Sequence, residues 1–492
     1  MSKKPFEMAE QSKLTERVAS GVAWSIAEKV GSALLQAVVS IVVANRIVPM
    51  DMGIMAVLTV FITLAQLVVD SGFSQTLIRK ASPTEGDYLA VFRFNILSSV
   101  ALYILLTALS PLVASYYGWP EITKVAPVLF LSLPLNAVGV IQNTMMVRDM
   151  RFAELSTMTF ISIVVSGIVA IAMAVAGMGI WALVGQRLST MATKSALLWW
   201  HSSWRPRKAS TQGALREMAP FSLRLMTTEI ITSIYNNISQ LFIGKIYSGS
   251  ALGCFNQAQK LVYMPQSLTQ SIQSVTFPAL SRIKDEEEKF AESYRLVVMS
   301  TAMIMFPIMA GLIATAEDFY TLLLKPDWHP AIPYFRIMCI GGFFYPLLYI
   351  SYNILKVKSD GAIILRLEVI KRAIMTVILI VTIPISVKAV AWGLVLSIAC
   401  EMALNILSAL RYVRISLLRL IRTILPIALL TTVMYASVMY VGDMAAEWSV
   451  AARLAAKIAT GIAIYIAGGL LCRMESFHQS VVLLKNIISK RA

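Results

Sequence analysis

One segment of the sequence, NQAQKLVYMPQSLTQSIQSV at positions 256–275, is rich in hydrogen-bonding side chains and almost free of charge. Within it, Gln259, Tyr263, Gln266 and Gln270 recur every three or four residues, a spacing that places them on one face of a helix. Their amide and hydroxyl groups can hold a polar ligand reversibly, and no nucleophile with an adjacent base accompanies them. The pattern predicts a polar helix face suited to binding.

An earlier helix has a face of the same kind. Thr59, Thr63, Gln66 and Asp70 follow the same helical spacing. Polar side chains that face lipid are costly, so such a face should line a water-filled cavity or contact another helix through hydrogen bonds.

We favour the cavity for the later face. Asn256, Lys260 and Gln273 make it wider than one dry helix contact could satisfy. Contact with another helix is the alternative interpretation.

The composition identifies the environment of these faces. Of the 492 residues, 57% are hydrophobic and only 14% are charged. Apolar runs of about twenty residues, the length that a membrane-spanning helix needs, recur from end to end. We therefore predict an all-α integral membrane protein, because lipid offers no partner for open backbone groups.

Glycine, proline and charge breaks divide the apolar sequence into about fourteen predicted transmembrane helices. Their approximate extents are 21–47, 51–72, 88–110, 121–147, 152–176, 179–200, 214–247, 250–280, 290–315, 328–356, 362–383, 388–411, 418–441 and 447–472.

The basic residues fit one orientation of these helices. If the N-terminus is cytoplasmic, nearly all the connecting Lys and Arg fall on the inside, and the outside connections carry a single Lys. Both termini are then cytoplasmic. The net charge of +16 reflects this topology, and we expect no nucleic-acid partner.

Motifs of soluble enzymes are absent from the sequence. The four cysteines are scattered without a CxxC, the three histidines are far apart, and there is no HExxH, GxSxG or GxxxxGK[ST]. We expect neither an enzyme nor a metal site nor a bound cofactor.

The chain also matches itself at an offset of roughly two hundred residues. Arg46-Ile47 before Gly53 matches Lys245-Ile246 before Gly253, and Trp181-Ala182-Leu183-Val184 matches Trp392-Gly393-Leu394-Val395. Two six-helix lobes related by a pseudo-twofold repeat, plus two extra C-terminal helices, are therefore predicted. The expected divisions are a cytoplasmic N-terminal arm at 1–20, an N-lobe at 21–210, a C-lobe at 211–412, helices thirteen and fourteen at 413–472, and a cytoplasmic amphipathic tail at 473–492.

Polar residues are concentrated in the first helix pair of each copy. The first helix carries Glu28 and Lys29, and the seventh carries Arg224, Glu229 and Tyr235. These helices are expected to add to the polar lining.

Two segments carry a resemblance to a known family. GCFNQAQKLVYMPQSLTQSIQSVTFPALSRIKDEE, most specifically its FPALSR ending, and RIVPMDMGIMAVLTVFITLAQLVVDSGFSQTLIRK resemble the Wzx-type polysaccharide-transport branch of the MOP flippase superfamily. The resemblance implies two lobes around a central cavity lined by helices one, two, seven and eight. It further implies alternating access that moves undecaprenyl diphosphate-linked oligosaccharide from the cytoplasmic to the periplasmic leaflet of a bacterial inner membrane, for exopolysaccharide, O-antigen or capsule synthesis.

The residue chemistry suits that cargo, since a diphosphate needs cations and sugars need amides, hydroxyls and aromatic rings. An ammonium in mid-helix costs on the order of 3 kcal/mol when unpaired, so we expect Lys260 to bind the diphosphate. An ion pair with a carboxylate of the lining helices is the alternative. Lys29, Arg93 and Arg224 lie nearer the cytoplasmic ends, where an entrance role and simple snorkelling are equally open. The predicted substrate-binding residues are Lys260, Arg224, Lys29, Arg93, Asn256, Gln259, Tyr263, Gln266, Gln270, Gln66 and Tyr235.

Coupling to a proton or sodium gradient would need a carboxylate that changes state, and Glu28, Asp70 and Glu229 are the candidates. For Asp70 a role at a helix terminus is equally open. Arg187, Lys194 and Arg336 could also line the cavity, but the sequence leaves their faces undetermined. Glu368, Lys371, Arg372 and Glu401 are expected to pair within the second lobe.

Besides the oligosaccharide and membrane lipids, a polysaccharide polymerase and chain-length machinery are expected partners of a monomer. Three other functions remain open. They are a peptidoglycan-precursor flippase of the same superfamily, a multidrug or cation antiporter, and, least favoured, a polysaccharide polymerase.

Overall fold

A computed structural model of the protein describes residues 31–32, 34–70, 72–207 and 209–471, and gives side chains throughout these ranges except at 271, 274 and 275. Glu28 and Lys29, the predicted arm at 1–20 and the predicted tail at 473–492 lie outside the described residues.

The described part of the chain is helical and contains no strand, as the sequence predicts. In the first half the helices are α1 (Leu34–Ala44), α2 (Pro49–Asp70), α3 (Phe73–Arg79), α4 (Glu85–Tyr117), α5 (Glu121–Phe130), α6 (Ser132–Ala137), α7 (Val140–Arg148), α8 (Phe152–Val175) and α9 (Ile180–His201). In the second half they are α10 (Ala214–Ile246), α11 (Gly249–Arg282), α12 (Glu287–Leu323), α13 (Ile332–Gly342), α14 (Tyr345–Lys358), α15 (Gly361–Thr382), α16 (Val387–Ala409), α17 (Leu417–Met444) and α18 (Val450–Leu471), with a 3₁₀ turn at Pro326–Ala331.

Local sequence explains where several helices begin. Thr84 and Asp87 form a capping box at the start of α4, in which each side chain accepts from the other's backbone N–H. Ser386 and Ser416 cap the beginnings of α16 and α17. Each hydroxyl accepts a hydrogen bond from the backbone N–H three residues later, that of Ala389 or Arg419. At the other end of α4, Gly118 adopts φ 74°, the left-handed conformation that glycine supplies most readily.

Seven helices among the described residues are long and apolar enough to cross a membrane, or up to nine if each of two bent pairs is one span. The helices α10 and α11 are long enough, at 33 and 34 residues, but their polar side chains make them less apolar. These are the predicted seventh and eighth helices, in which the polar residues concentrate. The count of fourteen spans stays a prediction.

The fourth predicted helix of each repeat is broken in the same way. Residues 121–137 and Val140–Arg148 meet at 41°, and residues 326–342 and Tyr345–Lys358 meet at 42°. A buried tryptophan lies near the start of each broken helix: Trp119 two residues before the first and Trp328 in the 3₁₀ turn that begins the second. These shared details are what a duplicated sequence would produce.

Contacts divide the chain into two compact units, Met1–Asn256 and Gln257–Ala492, so the division falls inside α11. The connection between α9 and α10 is anchored in the first unit, where the indole of Trp204 donates to Glu85 at 2.9 Å. The boundary between the two compact units, at 256/257, therefore differs from the lobe boundary at 210/211 that the sequence repeat predicts. The lobe boundary stays a prediction.

Within the first unit, α2 and the beginning of α11 approach so closely that only glycine fits. A Cβ at Gly53 would lie 2.0 Å from the carbonyl oxygen of Gly249, and a Cβ at Gly253 would lie 1.8 Å from that of Pro49. Small residues permit such backbone approach in membrane helices. Gly53 and Gly253 are the positions that the predicted repeat pairs, so this crossing would join equivalent positions of the two copies.

Within the second unit, a buried ion cluster joins α12 to the last helix. Arg453 donates through Nε to Oδ1 of Asp318 at 2.6 Å, and Lys457 donates through Nζ to Oδ2 at 2.6 Å. The Asp318 side chain is 1% exposed, so its carboxylate depends on these two cations. The cluster attaches α18 to the helices of the predicted C-lobe.

We predict that Asp318→Asn lowers the free energy of unfolding by about 3–5 kcal/mol, because it leaves two cations without their buried counter-charge. Glu317→Gln is the matched control, since Glu317 is 68% exposed and pairs with Arg336 at 3.1 Å. The control should cost less than about 1 kcal/mol. Thermal unfolding of the purified chain in detergent measures both, and equal shifts would contradict the role given to Asp318.

Candidate functional site

The polar face of α2 turns toward α9. Gln66 accepts through Oε1 from Nη2 of Arg187 at 3.2 Å, and both side chains are half-buried. One turn away along α2, Oδ1 of Asp70 is buried and has no hydrogen-bond partner among the described residues. The charge of Lys194, two turns beyond Arg187 on α9, acts on the Asp70 carboxylate. Two cations, an amide and a carboxylate thus form one cluster, called here the α2/α9 cluster.

This cluster has unused hydrogen-bonding capacity. Besides Asp70 Oδ1, Nε of Arg187 is buried without a hydrogen-bond partner in the described part of the chain. Buried polar atoms are usually satisfied, so such atoms in a partly exposed cluster point to a ligand or water. The two cations outnumber the single carboxylate, which favours an anionic group.

The sequence left the faces of Arg187 and Lys194 undetermined. A signal was nevertheless present, because the two cations are seven residues apart and therefore share a helix face. Nothing in the spacing showed that this face would meet α2.

On the same face of α2, the Thr63 hydroxyl is satisfied within its own helix. Thr63 donates to the carbonyl of Thr59 at 2.8 Å, within the same helix. Such backward bonds remove the need for a partner on another element.

The helix α10 exposes most of its predicted polar residues. Arg224 and Glu229 are exposed, and Tyr235 is half-buried. Thr228 donates to the carbonyl of Arg224 at 3.0 Å, which again is a bond within the helix. The structure leaves the Arg224 and Glu229 side chains accessible.

Arg93 lies on an exposed face of α4. On α4 it shares an exposed face with the large apolar side chains of Leu97, Val100 and Ile104, of which Leu97 is 72% exposed. A cation on such an apolar face is typical of snorkelling. Its assignment to the site stays a prediction.

The first turns of α11 keep their predicted groups accessible. Lys260 and Tyr263 are exposed, while Asn256 and Gln259 are half-buried. The two exposed side chains lie three residues apart, less than one turn, so they share one stretch of the helix surface.

Farther along α11, the glutamines are bound to α14. Gln266 donates to the hydroxyl of Tyr349 at 3.0 Å, and Gln270 donates to the same hydroxyl at 3.5 Å. Asn353 donates to the carbonyl of Gln273 at 2.9 Å. This half of the stripe therefore makes the helix-to-helix contact that the sequence left open as the alternative to a cavity, and its role in binding stays a prediction.

The charges of α15 pair as the sequence predicts. Lys371 donates to Glu368 at 2.9 Å, and Arg372 lies 3.7 Å from the same carboxylate. Lys371 also lies 4.9 Å from the ring centroid of Tyr352, and both cations act electrostatically on Glu401. Arg336 pairs instead with Glu317, near the α12 end.

Among the described residues, no group of three or more His, Cys, Asp or Glu side chains could hold a metal ion. Cys254 and Cys339 are buried and Cys400 is partly buried, all as free thiols.

Comparison with known sequences identifies a family. A family model described as "Polysaccharide biosynthesis protein" matches residues 42–333, more than half of the chain. The teichuronic acid biosynthesis protein TuaB of Bacillus subtilis (strain 168) is 23% identical over 350 residues, which are 70% of this chain and 72% of that protein. The succinoglycan biosynthesis transport protein ExoT of Rhizobium meliloti (strain 1021) is 24% identical over 350 residues, 70% of each chain.

Comparison with solved structures identifies the fold. The lipid II flippase MurJ in an inward closed conformation superposes with a TM-score of 0.71 at 14% identity, covering 92% of this chain and 99% of that chain. An inward-facing multidrug resistance MATE transporter of the MOP superfamily gives 0.62 at 14% identity, covering 77% and 94%. The chain therefore has the fold of a multi-pass membrane transporter.

The bonds to Tyr349 can be tested directly. Tyr349→Phe should lower the free energy of unfolding by about 1–3 kcal/mol, because it leaves the amide of Gln266 without its partner. Tyr263→Phe removes the same hydroxyl from an exposed ring and should change it by less than about 0.5 kcal/mol. Thermal unfolding in detergent distinguishes the two, and a neutral Tyr349 variant would show that these bonds do not stabilise the helix pair.

Proposed function

Because the chain belongs to the polysaccharide biosynthesis protein family, we propose that it is a flippase for undecaprenyl diphosphate-linked oligosaccharide repeat units. It moves them from the cytoplasmic to the periplasmic leaflet of a bacterial inner membrane, for exopolysaccharide, O-antigen or capsule synthesis. Both termini are cytoplasmic in this proposal, and the helices alternate between states open to one side and to the other.

The observation that carries the proposal is the placement of cations on polar helices of a transporter fold. The α2/α9 cluster has two cations against one carboxylate, and α11 exposes the side chains of Lys260 and Tyr263, three residues apart. A lipid-linked saccharide presents a diphosphate to such cations and hydroxyl groups to amides and aromatic rings. The printed names of TuaB and ExoT refer to the synthesis or transport of polysaccharides, which supports the same substrate class.

Asp70 is our candidate for coupling to a proton or sodium gradient. Its buried Oδ1 has no hydrogen-bond partner among the described residues, and the charge of Lys194 acts on the carboxylate. Protonation or sodium binding at this oxygen would weaken the attraction of Asp70 for Lys194 and leave that cation to an anionic ligand. Glu229, exposed on α10, is the second candidate.

A flippase for a peptidoglycan lipid precursor is the second proposed function, because the fold agrees with MurJ over 92% of this chain. The two substrates share a diphosphate, so the cations fit both. An exporter of cationic drugs is less favoured, since it would need acidic side chains for its cargo, whereas α9 carries Arg187 and Lys194 and α11 carries Lys260. A polymerase would need a large outside loop with clustered Arg and His, which the sequence lacks.

Deletion of the gene, followed by extraction of lipid-linked saccharides, tests the proposal. We expect loss of surface polysaccharide with complete repeat units stranded on the cytoplasmic leaflet. Normal polymer in the deletion strain would overturn the proposal. A lethal deletion with accumulated peptidoglycan precursor would instead select the second function.

The same strain tests Lys260. Complementation should fall at least tenfold with Lys260→Ala and be partly retained with Lys260→Arg, because the diphosphate needs a cation at this position. Lys388→Ala, which removes an exposed lysine from the beginning of α16, is the matched control and should complement fully. Full activity of Lys260→Ala with normal protein levels would show that the lysine does not bind substrate.

A further inference from the structure

The second unit contains a basic cavity whose lining includes none of the residues predicted for substrate binding or coupling. The cavity has a volume of about 310 Å³. It is formed where α12 begins, where α14 ends, and where the connection between α16 and α17 passes between them. Its lining residues are Glu287, Phe290, Lys358, Leu410, Arg411, Tyr412, Val413 and Arg414.

Three connections that the sequence assigns to the same membrane side meet in this cavity. They contribute Glu287, Lys358 and the pair Arg411 and Arg414. The cavity thus lies at the polar end of the second unit, where helices leave the membrane. At 310 Å³ it is within the roughly 300–1,000 Å³ range of ligand cavities.

The charges of the cavity favour an anion, because three cations face a single carboxylate. Arg414 is partly neutralised, since its Nε contacts Oε2 of Glu287 at 2.6 Å. Lys358 lies 4.9 Å from the centroid of the Phe290 ring, a contact that orients the ammonium without neutralising it. Arg411 is exposed and forms no side-chain hydrogen bond or ion pair within the described part of the chain. Two of the three cations are therefore available to a ligand.

The surface next to the cavity indicates which anion this is. The helix α17 begins three residues after Arg414, and its first turns expose Leu417, Leu418 and Ile421 at 44%, 56% and 49%. An apolar surface that starts beside a basic cavity matches a molecule with acyl chains and a phosphate. A soluble phosphate has no apolar groups that could contact this surface.

We propose that this cavity binds the phosphate headgroup of an anionic phospholipid from the surrounding leaflet, with the acyl chains along the start of α17. Arg411 and Lys358 bind the phosphate, and Tyr412 and Phe290 flank the glycerol portion. Basic pockets between membrane helices bind anionic headgroups by the same physical means. The proposal does not rest on the proposed transport function.

Thermal unfolding of the full chain in detergent provides the test. Dioctanoyl phosphatidylglycerol should raise the unfolding temperature more than dioctanoyl phosphatidylcholine, because a ligand that binds the folded state stabilises it. In Arg411→Ala and in the Arg411→Ala/Lys358→Ala double variant, the apparent affinity for phosphatidylglycerol should fall at least fivefold. Arg411→Lys should retain part of it.

The controls separate a built site from general attraction. Arg422→Ala removes an exposed arginine from α17 outside the cavity and should leave the affinity unchanged. If the Arg411 and Arg422 variants lost the same apparent affinity for phosphatidylglycerol, the proposed site would be overturned. If inorganic phosphate at the same concentration raised the unfolding temperature of the wild type as much as phosphatidylglycerol does, the cavity would bind a soluble anion. The proposal of a lipid ligand would then be overturned.

Discussion

A charge buried among helices needs a partner, and the Asp318 cluster and the charge pairs of α15 follow from that requirement. An unpaired buried carboxylate or ammonium is costly, so such a charge favours a position opposite a side chain of opposite charge. Asp318 brings α18 to α12 through two cations, and Lys371 pairs with Glu368 beside the ring of Tyr352. The same requirement makes the α2/α9 cluster informative. Its cations exceed its carboxylates, and two of its buried polar atoms have no hydrogen-bond partner in the described part of the chain.

The predicted duplication would account for details that the two halves share. The fourth predicted helix of each copy bends by nearly the same angle, 41° and 42°. The glycines that the repeat pairs, Gly53 and Gly253, make one close crossing between α2 and α11. A duplicated chain has small residues at equivalent positions of both copies. Where two such positions cross, neither helix has a side chain that would keep the two backbones apart.

Periodicity in the sequence predicted the helices and their polar faces, because a helical repeat of polar residues is a local property. It could not predict which element each face would meet. Gln266 and Gln270 were favoured as cavity residues, yet both bond to the hydroxyl of Tyr349, whose position depends on the tertiary fold. Arg187 had no assigned face for the same reason, although its spacing from Lys194 was visible. The family resemblance, in contrast, was carried by continuous segments, and the family match and the transporter fold confirm it.

The central claim is that this chain moves a polyprenyl diphosphate saccharide across a bilayer, and reconstitution measures this directly. Purified protein would be inserted into phospholipid vesicles that contain a fluorescently labelled polyprenyl diphosphate disaccharide, with a proton or sodium gradient imposed in either direction. A membrane-impermeant reductant then quenches only the label on the outer leaflet. The account predicts that vesicles with the protein lose the protected inner-leaflet fluorescence, whereas protein-free vesicles retain it. Equal protection in both sets of vesicles, under every gradient, would contradict the account.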